Sequence, residues 1–148
     1  DQLILNQAID NFKVDSFDTS LDIKDFDISF ARGLSLEDGC ATITNFTAYL
    51  IAKGIEHANN NNSDPIKFLV SGGGRKNDYL INRIKSYLSH KQNISLNSID
   101  DYSLNGDYIE SQAFGYLAIR SFLNLPISYP KTTGCVTPTV GGKLAQNI

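Results

Sequence analysis

The stretch FLVSGGGRKNDYLINRI, Phe68 to Ile84, runs an apolar segment into three consecutive glycines and then into a pattern with helical spacing. A strand that meets a helix through bare backbone offers two things to a ligand: approach with no Cβ in the way, and free N–H donors at the helix start. That combination suits a nucleotide. The spacing is neither G-x-G-x-x-G nor G-x-x-x-x-G-K-[ST], so the dinucleotide fingerprint and the P-loop are both excluded. Arg75 and Lys76 add positive charge beside the turn, and Asn77 stands where an N-cap would satisfy free helix donors. The plainer alternative is a tight strand-to-helix turn that needs positive φ. One glycine suffices for that, and the chain has three.

The rest of the chain alternates in the same way. Apolar residues at 3, 4, 5, 8, 9 and 12 predict a helix over Leu3 to Phe12, followed by an acidic, aperiodic loop KVDSFDTSLDIKDFD. Ser35 with Asp38 three positions on reads as a helix cap, and Leu36, Cys40, Ile43, Thr47, Leu50 and Ile51 then share one stripe of a long helix ending near His57. The asparagine run and Pro65 end it as a surface loop. Ile66 to Val70 reads as a short strand, Tyr79 to Leu88 as a helix, and Ile94 with Leu96 as a second strand. A further helix is expected from Asp107. Its middle, SQAFGYLAIRSF, is apolar around most of its circumference and so predicts a buried helix. The tail is rich in turn formers, with at most one strand near Val140. Strands separated by helices give an α/β class with a parallel pair.

Charge and composition remove several functions. A net charge of −3, a pI of about 5.2 and the lack of a Lys/Arg block give no electrostatic case for nucleic acid. No apolar run reaches the ~18 residues of a membrane span, and the first residues are acidic where a secretory signal is basic, so the chain reads as cytoplasmic. Cys40 and Cys135 lie in unrelated contexts and are read as reduced thiols. His57 and His90 each fall near a predicted helix C-terminus without a companion ligand, so no metal site is expected. The chain starts at Asp1 and contains no methionine, which reads as a piece of a longer protein.

The segments LVSGGGRKNDYLINRI, DDYSLNGDYIESQAFGYLAIRSFLNLP and TTGCVTPTVGGKL, preceded by FARGLSLEDGCATITNFTAYLIA, resemble in order and spacing the C-terminal part of the anhydro-N-acetylmuramic acid kinases. These are bacterial sugar kinases of the actin-like ATPase superfamily, and the resemblance runs from about Phe17 onward. It implies a partial ribonuclease-H-like lobe of short parallel strands and packed helices. Residues 1–148 would form one C-terminal nucleotide-binding lobe, with 1–34 as an incoming helix and acidic loop and 35–148 as the α/β core. By the same resemblance Gly72, Gly73 and Gly74 form the adenosine turn and Asn77 the polar residue that opens the next helix. The implied cofactors are ATP and Mg2+, and the implied substrate is 1,6-anhydro-N-acetylmuramic acid. The γ-phosphoryl goes to its 6-oxygen as water adds at C1 and opens the anhydro ring, a step of cell-wall recycling that needs a carboxylate base.

The chain also departs from the family. The amino-terminal lobe and the D-x-G-P-x-N segment that carries the family's catalytic aspartate are absent, and Asp15, Asp18 and Asp22 lie in no such motif. The chain alone is therefore expected to be inactive. Glu110 is the remaining candidate for chemistry, because the resemblance aims it at the sugar or the attacking water. Its spacing from Asp107 equally fits a capping box, and one residue can serve both roles. Two other readings stay open: another actin-like sugar or acid kinase, and a non-catalytic interaction piece. Strands left without neighbours expose an edge, and the family forms dimers, so a homo-oligomer is expected.

Overall fold

In a computed structural model the chain is described at residues 1–12, 17, 25–59 and 63–145. Its organising element is a 24-residue helix. The helices are α1 (Gln2–Asn11), α2 (Leu36–Asn59), α3 (Asp78–Leu88), α4 (Ile109–Phe122) and a single turn, α5 (Pro130–Thr133). The strands are β1 (Ile66–Val70) and β2 (Ile94–Ser98). Helix α2 opens with the cap expected of Ser35, whose hydroxyl accepts the Asp38 N–H at 3.1 Å and donates to the Asp38 carboxylate at 3.2 Å.

The strands β1 and β2 pair in parallel, with Ile66 opposite Ile94, Phe68 opposite Leu96 and Val70 opposite Ser98. A parallel pair cannot be closed by a tight hairpin, and α3 supplies the crossover. Ile66, Phe68 and Val70 turn one face of the sheet towards α2 and α3, where Ala48, Ala52, Ile55, Ile84, Leu88 and Leu96 form a buried cluster. Asn45 is buried between these helices, and its carbonyl oxygen accepts from Arg83 Nε and the Tyr87 hydroxyl, both at 2.9 Å. A buried amide satisfied from the neighbouring helix fixes how α2 and α3 meet. The other side of α2 holds a second cluster, Leu5, Ala8, Phe46 and Leu50. There the Phe46 ring takes Phe12 and Phe30 edge-on at 5.6 and 5.1 Å between centroids.

The helices at Leu3 to Phe12, Leu36 to His57 and Tyr79 to Leu88 and the strands at Ile66 and Ile94 are thus present where periodicity places them. The α/β class holds. The acidic-loop residues Asp15, Asp18 and Asp22, and positions 60–62 of the asparagine run, lie outside the described residues. Among the described residues around Val140 there is a single antiparallel bridge, Ser128 with Thr139.

The expectation of a buried α4 is overturned. Helix α4 has no buried residue: Phe114 is 71 % and Phe122 74 % exposed. No described element lies along its apolar side, which instead borders a groove of about 590 Å³ shared with Ile127 and Leu144. Among the described residues the far face of the sheet is thinly covered too, with Leu69 exposed and Lys67 lying over the Tyr102 ring. Parallel sheets are ordinarily covered on both faces, so this is a half-dressed sheet. The two helices should answer differently to truncation. Ile84→Ala should lower unfolding free energy by about 2–5 kcal/mol in urea titration, whereas Phe114→Ala should stay within about 0.5 kcal/mol of the parent.

Candidate nucleotide site at the glycine turn

The parallel arrangement puts the carboxyl ends of β1 and β2 side by side, which is where open α/β sheets ordinarily bind ligands. The glycine turn leaves one end, and the loop leading to α4 leaves the other. Gly72 has φ +78°, a left-handed conformation that a side chain would strain. Gly73–Lys76 then forms a 3-10 turn with Asn77 as its C-cap. Asn77 is also the N-cap of α3, its side-chain oxygen accepting the Leu80 N–H at 3.0 Å. The capping role expected of Asn77 is therefore present.

The three glycines are not equivalent. Gly72 alone of the three has positive φ. A Cβ on Gly73 would meet nothing within 4 Å, and one on Gly74 would make only ordinary contact with Leu80 at 3.7 Å. Neither fold nor backbone angle requires them. Both are exposed, and they present side-chain-free backbone to solvent.

Glu110 comes to the same place from the far end of the chain. It lies in the first turn of α4, and its Oε1 is 3.7 Å from where a Gly72 Cβ would be. The carboxylate is exposed and takes no hydrogen-bond or ion-pair partner among the described residues. The capping box with Asp107 does not form. Tyr108 is the N-cap and makes no side-chain cap bond, while the Asp107 carboxylate is taken by Arg75 at 2.7 Å and Lys76 at 2.8 Å. Two charge-assisted bonds outcompete one backbone donor.

The positive charge attributed to the turn is cancelled by the same contacts. Arg75, with only 6 % of its side chain exposed, pairs with Asp100 at 2.6 Å as well as with Asp107. Two cations face two carboxylates, so the turn carries no surplus charge for phosphate. Asp107 and then Asp100 hold the Arg75 guanidinium above its ordinary range. Arg75, followed by the Gly106 N–H and the Ser98 hydroxyl, holds Asp100 well below the carboxylate range. Arg75, followed by Lys76, holds Asp107 at about 2. The sequence signal for this cluster was the acidic pair Asp100 and Asp107 in a loop that a parallel crossover must bring beside Arg75.

A protein-family model for the anhydro-N-acetylmuramic acid kinases matches residues 12–147. The chain belongs to that family. It is 49% identical to the anhydro-N-acetylmuramic acid kinase of Pelagibacter ubique over 99% of its own length and 39% of the relative's. The Zymomonas mobilis enzyme of the same name is 41% identical over 84% of this chain and 32% of the relative. A third, from Rhizorhabdus wittichii, is 39% identical over 96% and 37%. The chain thus spans between about a third and two fifths of these kinases.

Among the described residues no helix is long and apolar enough to cross a membrane, and no group of three or more His, Cys, Asp or Glu residues is placed to hold a metal ion. His90 pairs with Glu56 at 3.0 Å. Cys40 and Cys135 are free thiols.

The ion cluster sets a pH dependence. Both carboxylates have folded-state pKa values below the ordinary 3.8, so the clamp is fully formed above that value and is lost as pH falls towards about 2. A carboxyl-carbon NMR titration should give Asp107 a midpoint near 2, moving up towards 3.8 in Arg75→Gln.

Proposed function

We propose that this chain is the nucleotide-binding C-terminal lobe of an anhydro-N-acetylmuramic acid kinase. In the whole enzyme, water would add at C1 of 1,6-anhydro-N-acetylmuramic acid and break the C1–O6 bond, and the O6 so released would take the γ-phosphoryl of ATP, with ADP leaving. The product, N-acetylmuramic acid 6-phosphate, belongs to cell-wall recycling in the cytoplasm. The observation that carries the reading is the open backbone of Gly73 and Gly74 beside a free carboxylate, Glu110.

The fit to a nucleotide is steric. Gly73 and Gly74 leave room for a flat adenosine to lie against the main chain, and Gly72 bends the backbone so that they face outward. Asn77 uses its oxygen as the α3 cap, leaving its amide N–H2 free to point towards the ligand. ATP supplies the transferred phosphoryl group. Magnesium is implied by the family's chemistry, but Asp100 and Asp107 are spent on Arg75 and the described residues offer no donor set for it. Glu110, set at an α4 amino end where a carboxylate is favoured, orients the sugar or a water at the edge of the nucleotide site.

The D-x-G-P-x-N segment is found nowhere in the chain, so the catalytic base comes from elsewhere in the longer enzyme and this chain alone transfers no phosphoryl group. A second reading, a non-catalytic interaction piece, draws on the uncovered apolar side of α4. Copies of the chain would also associate through the unpaired edges of the two-stranded sheet.

Calorimetric titration with Mg-ADP tests the reading. Gly73→Asp adds its side chain to open space, so the fold should survive while a carboxylate in the adenosine turn weakens binding by at least about tenfold. Equal affinity in both chains, or no binding by a folded parent, would favour the interaction piece. In the full-length enzyme carrying this segment, Glu110→Gln should lower kcat by about 10²–10⁴ without altering the melting temperature; unchanged turnover removes Glu110 from the chemistry.

A further inference from the structure

Arg75 makes more bonds than an ion pair needs. Its Nε and Nη2 fork onto Asp100 at 2.6 and 3.4 Å, and its Nη1 donates to Asp107 at 2.7 Å and to the Gly72 carbonyl at 2.9 Å. Four of its contacts are thereby spent inside the protein, on a side chain almost wholly out of solvent. Such a guanidinium is poorly placed to take a phosphate. What it touches is informative: the glycine turn on one side, and on the other two points of the loop that leads from β2 into α4.

The same junction is closed from the main chain. The Gly72 N–H donates to the Gly106 carbonyl at 3.2 Å, and the Gly106 N–H donates to Asp100 at 2.8 Å. Gly106 is buried, and a Cβ there would lie 2.7 Å from Arg75 Cζ, too close for any real contact. Gly106 is therefore the space in which the guanidinium sits. Asp107 is followed three residues later by Glu110, so whatever holds Asp107 also sets where α4 begins and where the Glu110 carboxylate meets Gly72.

We propose that Arg75 is a positioning residue: seated in the space left by Gly106, it clamps the glycine turn to the loop that carries Asp100 and Asp107 and so fixes Glu110 beside the backbone of Gly72. The clamp rests on the nucleotide reading for its purpose, though not for its existence. It joins the adenosine side of the site to the carboxylate side, so that the two move as one body. Arg75 acts through the turn and through α4, and touches neither the phosphate nor the sugar.

Two variants break the clamp by different routes. Arg75→Lys keeps the charge and loses the fork; Gly106→Ala keeps every charge and fills the guanidinium's seat. In the 148-residue chain each should speed hydrogen exchange at the Gly72 and Gly106 amides by about tenfold or more, with the Ile84 and Leu88 amides unchanged. The NOE between the Gly72 α-protons and the Glu110 side chain should disappear. Binding should weaken in equal proportion for Mg-ADP and for adenosine, and the double variant should be no worse than the poorer single one. A phosphate ligand would behave otherwise: Arg75→Lys would weaken Mg-ADP and spare adenosine, and Gly106→Ala would spare both. That pattern, or unchanged exchange with the NOE retained, overturns the proposal. If the parent chain binds neither ligand, the nucleotide reading fails by itself. The exchange rates and the NOE then still decide whether Arg75 sets the position of Glu110.

Discussion

Two parallel strands joined by a helix must end on the same side, and nearly everything of interest in this chain follows from that constraint. With Ile66 opposite Ile94, the chain leaves Val70 and Ser98 as neighbours and passes into two loops with no choice but to share space. One is a glycine turn that exposes backbone. The other carries Asp100, Gly106 and Asp107 and delivers Glu110. Their contact is polar and compact, organised by one guanidinium, and it converts two distant segments into one surface.

What lies beneath that surface is well anchored. Helix α2 serves two clusters, one shared with α3 and the sheet and one with α1 and the aromatic residues around Phe46. What lies beyond it is not. Among the described residues one face of the sheet is thinly covered, and α4 presents Phe114, Ile119 and Phe122 to solvent. The chain spans 39% of the Pelagibacter kinase and 32% of the Zymomonas one, which gives a physical setting for surfaces that look like interior.

The elements legible in the sequence were those with local punctuation. Pro65 and Gly72 bracket a strand of five residues, Ser35 with Asp38 opens α2, and Asn77 opens α3; each signal acts within four positions of itself. Sequence pattern misleads where the deciding partner is remote. Asp107 with Glu110 has the spacing of a capping box, but the Asp107 carboxylate is claimed by Arg75 from 32 positions away. Arg75 read as free charge for phosphate because its partners stand 25 and 32 residues downstream. The apolar circumference of α4 showed that it wants cover, and periodicity has no means of showing whether cover is there. The glycines themselves were half legible. Positive φ at Gly72 accounts for one of them, and only the geometry separates Gly73 and Gly74 as open backbone.

A nucleotide lying on the backbone of Gly73 and Gly74 next to Glu110, as proposed, must perturb the amides around it. An amide chemical-shift map of the isotopically labelled chain, with and without Mg-ADP, asks where the ligand sits. The largest changes should fall on Gly72 to Asn77 and on Ile109 and Glu110, with the amides of Phe114 to Phe122 unmoved. Shifts confined to the outer face of α4, or absent at the glycine turn at saturating nucleotide, would contradict it.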